Sequence, residues 1–199
     1  MISFLCSLKV RFLKAGKIVI TGAPGTGKTV VVKALEARGF HCFHEIIRSM
    51  TAKAKEDGIS KELVSNPLVF VDDPKKFNQT LLDARINDVI QAEKSSETVH
   101  FFDRGIPDVL AYMDYFNQTY SNDFVRACED YRYDILFIMP PWRDIYISDN
   151  ERFETFEEAE AIHEHLIGTY TKFGYRPIEI PKTTIEDRVT FILDELKLA

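Results

Sequence analysis

Eight residues, GAPGTGKT at 22–29, constrain this chain more than any other feature. They satisfy the spacing G-x-x-x-x-G-K-[ST], and their flanks fit. The apolar run KIVIT, 17–21, leads in, and a helical pattern leads out, with Val31 and Leu35 one turn apart and Gly39 placed to end it. Each position in the loop has a physical reason. Gly22, Gly25 and Gly27 allow backbone shapes and close approaches that a Cβ would block, so that the N–H groups along Gly22, Ala23, Pro24, Gly25, Thr26 and Gly27 turn inward on phosphate oxygens; Pro24 alone has none to give. Lys28 brings a compact charge to the β- and γ-phosphates of ATP, Thr29 a hydroxyl for Mg²⁺, and the helix its positive end.

Four further apolar runs follow: FHCFHE (40–45), VHFFD (99–103), DILFIM (134–139) and RPIEIP (176–181). Helical stretches alternate with them, which is how an α/β parallel sheet with crossover helices reads. The longest crossover reads as a helix over 45–57, a loop-rich excursion over 58–72 and a second helix over 74–94. That helix carries an apolar stripe of Leu82, Ile86, Val89 and Ile90, with Lys75, Lys76, Asp88 and Lys94 on its wet side. Thr183 and Glu186 have capping-box spacing ahead of Val189, Ile192, Leu193 and Leu196, so the chain is expected to finish on a helix.

With 199 residues and no internal repeat or linker, the expectation is one phosphate-loop domain over 17–199 behind an N-terminal extension, 1–16. The extension alternates apolar and polar residues, as an edge strand or packed arm would; a membrane-surface contact and a start placed too early are the other readings. Lys9 and Arg11 interrupt the apolar core that a secretory signal needs. Composition narrows the partners. A 45% hydrophobic share with 28% charged residues excludes a disordered chain, and a net charge of -6 offers no broad field for a nucleic-acid backbone. No apolar run reaches transmembrane length. Cys6, Cys42 and Cys128 are odd in number with no C-x-x-C pair, so neither a disulfide framework nor a thiolate zinc site is indicated, and a cytoplasmic setting is expected.

A phosphate loop works with an acidic residue at the end of a neighbouring strand, and VHFFD ends in Asp103, a candidate Mg²⁺ ligand alongside Thr29. Arg104 follows it, either to clamp an anionic or hydroxylated acceptor or to form a structural ion pair. Glu45, at the tip of the second run, is either the base that takes a proton from an acceptor hydroxyl or a helix-start glutamate. After the fourth run, residues 140–159 begin with two prolines and carry Arg143 and Arg152 beside an acidic stretch. Such a segment reads either as a mobile cover that brings cations to the transferring phosphoryl group or as a solvated loop. His163 and His165, two apart, face different sides of a helix, and His41, His44 and His100 sit in strand-like runs, where packing is the usual role.

Taken together, GAPGTGKT, HEIIR, FFDRGIPDVLAY, PPWRDIY…DNERFETFEEA and GYRPIEIP resemble the small AAA-type ATPase-like P-loop family allied to the ribosylnicotinamide kinase domain of bacterial NAD-biosynthesis regulators, over about residues 17–198. The resemblance implies a three-layer nucleotide-kinase-like fold with five parallel strands in order 2-3-1-4-5, and Mg-ATP binding. By position it assigns phosphate binding to residues 22–29, metal and acceptor to Asp103 and Arg104, the acceptor side to Glu45, and the lid to Arg143 and Arg152. A guanine-reading [NT]-K-x-D is absent, since TKFG at 171–174 fails at its last position, which favours ATP over GTP modestly. The base is expected near the lid and the turn at 181–183. The resulting expectation is a phosphotransferase that moves the γ-phosphoryl of ATP to a small, nucleoside-like metabolite. The alternatives are a nucleotide-dependent regulatory module with slow ATP or GTP hydrolysis and a lipid-docking module that uses Lys9, Arg11, Lys14 and Lys17.

Overall fold

The computed structural model describes residues 16–45, 73–146 and 154–198. The expected helix over 45–57, the excursion over 58–72, most of the extension and Arg152 lie outside them. Five parallel strands are present: β1 (Gly16–Gly22), β2 (His41–Phe43), β3 (Val99–Asp103), β4 (Ile135–Met139) and β5 (Ile178–Glu179). Their order is β2-β3-β1-β4-β5, as the resemblance implied. β1 lies at the centre, with Ile20 beside Asp103 of β3 and Gly22 beside Met139 of β4. The loop after β1 and the aspartate ending β3 therefore emerge side by side at the carboxyl edge, where open α/β sheets bind ligands.

Alternation along β1 divides the core. Ile18 and Ile20 face α1 (Lys28–Glu36) and the last helix, joining Val31, Leu35, Phe101, Val189 and Ile192. Val19 faces the other way, into a larger cluster with Phe102, Leu136, Leu110, Ile162 and Tyr170. That second face is covered by α2 (Pro74–Lys94), α3 (Ile106–Tyr115), α4 (Asn122–Asp130) and α5 (Phe156–Lys172). The last helix, α6, runs Ile185–Leu196. Strands buried on both faces read as unbroken apolar runs, which is why β1, β3 and β4 were legible.

Two local expectations are corrected. In α2 the buried positions are Asn78, Leu81, Leu82, Arg85, Val89 and Ala92, so the inward face is centred nearer Leu81 and Arg85 than on Ile86 and Ile90, which are half-buried. Asp88, expected on the wet side, is also half-buried. The cause is chemical: Arg85 donates to the carbonyl of Gly105 and Asn78 to Gln118 at 2.7 Å, so polar residues occupy the inward face once partners meet them there. The cap of α6 lies one residue later than expected. Thr184 accepts from the Asp187 N–H at 3.2 Å, while Thr183 donates to the Asp187 carboxylate at 2.8 Å. Asp73 and Pro74 start α2 and the Thr155–Glu158 box starts α5, so these two helices begin on residues suited to their exposed N–H groups.

Candidate functional site

The loop wraps around the ammonium of Lys28. Its Nζ donates to the carbonyls of Gly22 at 2.7 Å and Ala23 at 2.8 Å, and lies 3.4 Å from the Thr26 hydroxyl, which itself donates to Ala23 O at 3.0 Å. Burial, reinforced by the nearby Arg104 cation, pulls the amine down to about 7 against the pull of Asp103, Glu45 and Asp108. A lysine held this way gains most from a ligand that brings negative charge. Gly25 has φ +77°, and a Cβ there would stand 2.6 Å from the ring of Tyr146, so the loop is shaped by a neighbour as well as by its own turn. Tyr146 follows a single 3₁₀ turn, Arg143–Ile145, and its hydroxyl donates to the Glu154 carbonyl. The beginning of the expected lid thus packs on the phosphate loop.

At the end of β3 the chain makes a turn that only strong contacts can hold. Arg104 is a non-glycine residue at φ +75°, a conformation that costs on the order of 1–3 kcal/mol. Its N–H donates to Ile20 O at 3.0 Å, its Nε to the Glu45 carboxylate at 2.7 Å, and its NH1 to Gly22 O and Asp108, each at 3.3 Å. Burial opposes its charge, but Tyr112 and the carboxylates around it outweigh that and hold it well above its ordinary value. For Glu45, burial pushes upward while Arg104 and then Lys28 push down harder, leaving it below the usual carboxylate range. The ion pair that the sequence offered as the structural reading of Arg104 is present, and the same arginine ties the second strand's end to the loop carbonyl of Gly22.

Asp108 holds this corner. Its carboxylate accepts from Thr21 at 2.6 Å, Tyr170 at 2.6 Å, the Gly105 N–H at 2.9 Å and Arg104, at 1% exposure. A Cβ on Gly105 would meet the Tyr170 hydroxyl at 2.5 Å, so space rather than conformation requires glycine there. The sequence signal was present, an aspartate in the first turn of a helix that begins Gly-Ile-Pro, but its role as hub depends on Thr21 and Tyr170, which are far away in sequence.

The structure brings Lys28, Glu45, Asp103 and Arg104 to one buried cluster and does not bring Arg143 there. Arg143 is exposed, pairs with Glu157 at 2.9 Å and stacks 4.1 Å from the centre of the Phe156 ring. Instead α6 sends a cation that sequence reasoning missed. Arg188, 4% exposed, donates to the loop carbonyl of Thr26 at 3.1 Å, and its guanidinium lies 4.8 Å from the centre of the Trp142 ring. Nothing in a helical pattern distinguishes such an arginine from one lying on solvent.

Thr29 stands in the first turn of α1 and Asp103 at the adjacent strand end, a hydroxyl and a carboxylate. These are the hard oxygen donors Mg²⁺ takes, with water and phosphate oxygens completing its shell, so the residues present fit that ion. Among the described residues no group of three His, Cys, Asp or Glu forms a further metal cage. Three of the five histidines are paired, His41 with His100 at 3.3 Å and His44 with Glu36 at 2.9 Å being the contacts. No described helix is long and apolar enough to cross a membrane.

Among solved structures, the chain is similar to deoxyadenosine kinase from M. mycoides with dCMP and a flexible dCDP bound, at 16% identity and a TM-score of 0.60, covering 92% of this chain and 100% of that one. NadR protein in complex with NR superposes with a TM-score of 0.68 at 17% identity, over 94% of this chain and 53% of that one. Thymidylate kinase from Candida albicans gives 0.66 at 12% identity, over 92% of each. At these identities the likeness establishes the fold, a three-layer P-loop arrangement shared with nucleoside and nucleotide kinases. No curated protein matches by sequence. The AAA domain family does match, over residues 17–188, and with the phosphate loop, the β3 aspartate and the sheet order in agreement, the chain belongs to that family.

Proposed function

We propose that this chain is a phosphotransferase that moves the γ-phosphoryl group of ATP to a hydroxyl of a small nucleoside-like acceptor. The observation that carries the reading is the single buried cluster in which Lys28, Glu45, Asp103 and Arg104 meet at the carboxyl edge of the sheet. A hydrolytic switch needs the loop and a metal aspartate; the paired Glu45 and Arg104 beside them suit an acceptor.

In this reading Lys28 leaves the carbonyls of Gly22 and Ala23 for the phosphate oxygens, and the loop N–H groups and the N-terminus of α1 share that charge. Mg²⁺ held through Thr29 and Asp103 would neutralise charge on the β- and γ-phosphates. Glu45, kept ionised by Arg104, accepts a hydrogen bond from the attacking hydroxyl, aims its oxygen at the phosphorus and takes its proton as the new P–O bond forms and the bond from the γ-phosphorus to the bridging oxygen breaks, releasing ADP. Arg104 keeps a fixed guanidinium beside the developing charge. Arg143 reaches the phosphoryl group only on rearrangement of the segment it begins, and Arg152 is given its lid role by its position in the sequence alone.

The test is ATP consumption measured against a panel of nucleosides and nucleoside-like vitamins. One acceptor should raise the rate well above the basal value and appear phosphorylated in the products, whereas phosphate release indifferent to every acceptor would favour the slow hydrolytic module. Glu45→Gln should lower the acceptor-stimulated rate by roughly a hundredfold or more while ATP still binds; normal turnover in that variant removes the base assignment. Lys28→Ala should weaken Mg-ATP binding by roughly ten- to a hundredfold, read by calorimetry.

A further inference from the structure

A narrow, largely enclosed cleft runs from the site toward α2, with Phe43 and Phe102 on one side, Arg85 and Asp88 on the other, and Asp103 and Arg104 at the site end. It has room for about one water-sized group. The polar groups along it differ in one respect. Arg104 is committed to Glu45 and Asp108, and Arg85 donates to the Gly105 carbonyl. The Asp88 carboxylate is half-buried, and the structure gives it no hydrogen bond and no ion pair with any described residue.

A carboxylate in that setting is costly unless something donates to it. Burial lifts its carboxyl to about 6, with Arg85 pulling the other way, so near neutral pH it is largely ionised and accepts hydrogen bonds only. The cleft wall beside it is aromatic, Phe43 lying 4.8 Å from Phe102 at 12° between planes. A cleft one group wide cannot take a whole ring. It has room for a single substituent of a ring.

We infer that Asp88 is the specificity-determining residue of the acceptor site, and that it selects acceptors whose heteroaromatic ring carries an amino group over those with a carbonyl at the same position. This rests on the acceptor reading proposed above and names the acceptor class: an amino-bearing nucleoside, whose –NH₂ enters the cleft and donates to Asp88 while its sugar hydroxyl lies at Glu45. A carbonyl oxygen in the same place would face the carboxylate lone pairs, so the preference comes from repulsion as well as attraction.

Two matched pairs test it: cytidine against uridine and adenosine against inosine, which exchange –NH₂ for a carbonyl at one ring position. For the full chain with Mg-ATP, kcat/KM for the amino member should exceed that of its carbonyl partner by at least about tenfold, and calorimetric binding should show the same order. Asp88→Ala should bring each ratio to within about threefold, and Asp88→Asn, whose amide can donate to a carbonyl, should do the same. Both variants should melt at or above the wild-type temperature, because burial costs this carboxylate more than the nearby Arg85 charge returns, so a collapse in selectivity cannot be ascribed to unfolding. Unchanged ratios in the variants, or no amino preference in the wild type, overturn the inference even if phosphoryl transfer is confirmed. Selective binding that vanishes in Asp88→Ala, without acceptor-stimulated ATP consumption, supports Asp88 and instead removes the phosphotransferase reading. If none of the four nucleosides binds, the inference about Asp88 falls, while the phosphotransferase reading is decided by the wider acceptor panel.

Discussion

The acceptor corner and the start of the 140–159 segment hold their arginines in opposite ways. Arg104 is 8% exposed and shared among two carboxylates and a loop carbonyl, on a backbone conformation that an unrestrained arginine avoids. Arg143 is 67% exposed and pairs with Glu157, itself 70% exposed. In water an ion pair gains little over hydration, whereas in a buried site each charge depends on the others. The first arginine is therefore part of the architecture, and the second is free to move without cost to the fold.

Substitutions can break that contrast at several strengths. The largest effect is expected from Arg104→Ala, which leaves Glu45 and Asp108 buried without their cation. Unfolding free energy should fall by about 3–5 kcal/mol, measured by urea denaturation, and a loss below about 1 kcal/mol would place the corner among ordinary surface pairs. Gly105→Ala comes next. The new methyl would crowd the Tyr170 hydroxyl that serves Asp108, at a cost of about 1–3 kcal/mol, and the double variant with Tyr170→Phe should recover part of it; independent, additive losses would argue against the shared cause.

Lys28 supplies a test by pH. Its amine is held at about 7 in the folded chain and titrates near 10.5 when unfolded, so between those values the unfolded chain binds the extra proton. Stability from this residue must therefore rise as pH rises from 7 toward 10, and it is absent below 7. The difference in unfolding free energy between wild type and Lys28→Met should follow that slope. Mg-ATP binding near pH 8 should also take up a proton, seen as a dependence of calorimetric enthalpy on buffer ionisation; no dependence would mean the ammonium is already charged before phosphate arrives. The smallest effect belongs to Arg143→Ala, which should change stability by no more than about 0.5 kcal/mol. A loss of several kcal/mol would erase the contrast between the two arginines.

Residues close together in sequence were the readable ones. The loop at 22–29, the strand runs before it and at 99–103, the helix over 74–94 and the final helix all rest on local chemistry: glycines for a tight anion-binding turn, unbroken apolar runs for strands buried on both faces, and an N-cap that satisfies the first amides. Local reading was less exact where neighbours decide. The inward face of α2 is centred on Arg85 because a carbonyl at Gly105 waits for it, and the cap of α6 moved by one residue to Thr184. Arg188 gave no signal at all, since its partners, Thr26 and Trp142, are brought to it by the sheet.

The sequence by itself determined that this chain builds a phosphate loop between a strand and a helix in an α/β fold, because those choices are made by turns, periods and caps within a few residues of each other. The tertiary structure decided which charges work together. Glu45, Arg104 and Asp108 become one buried network, Arg143 stays in water, and Asp88 turns toward a cleft, because burial sets the strength of an electrostatic interaction and burial is a property of the packed fold.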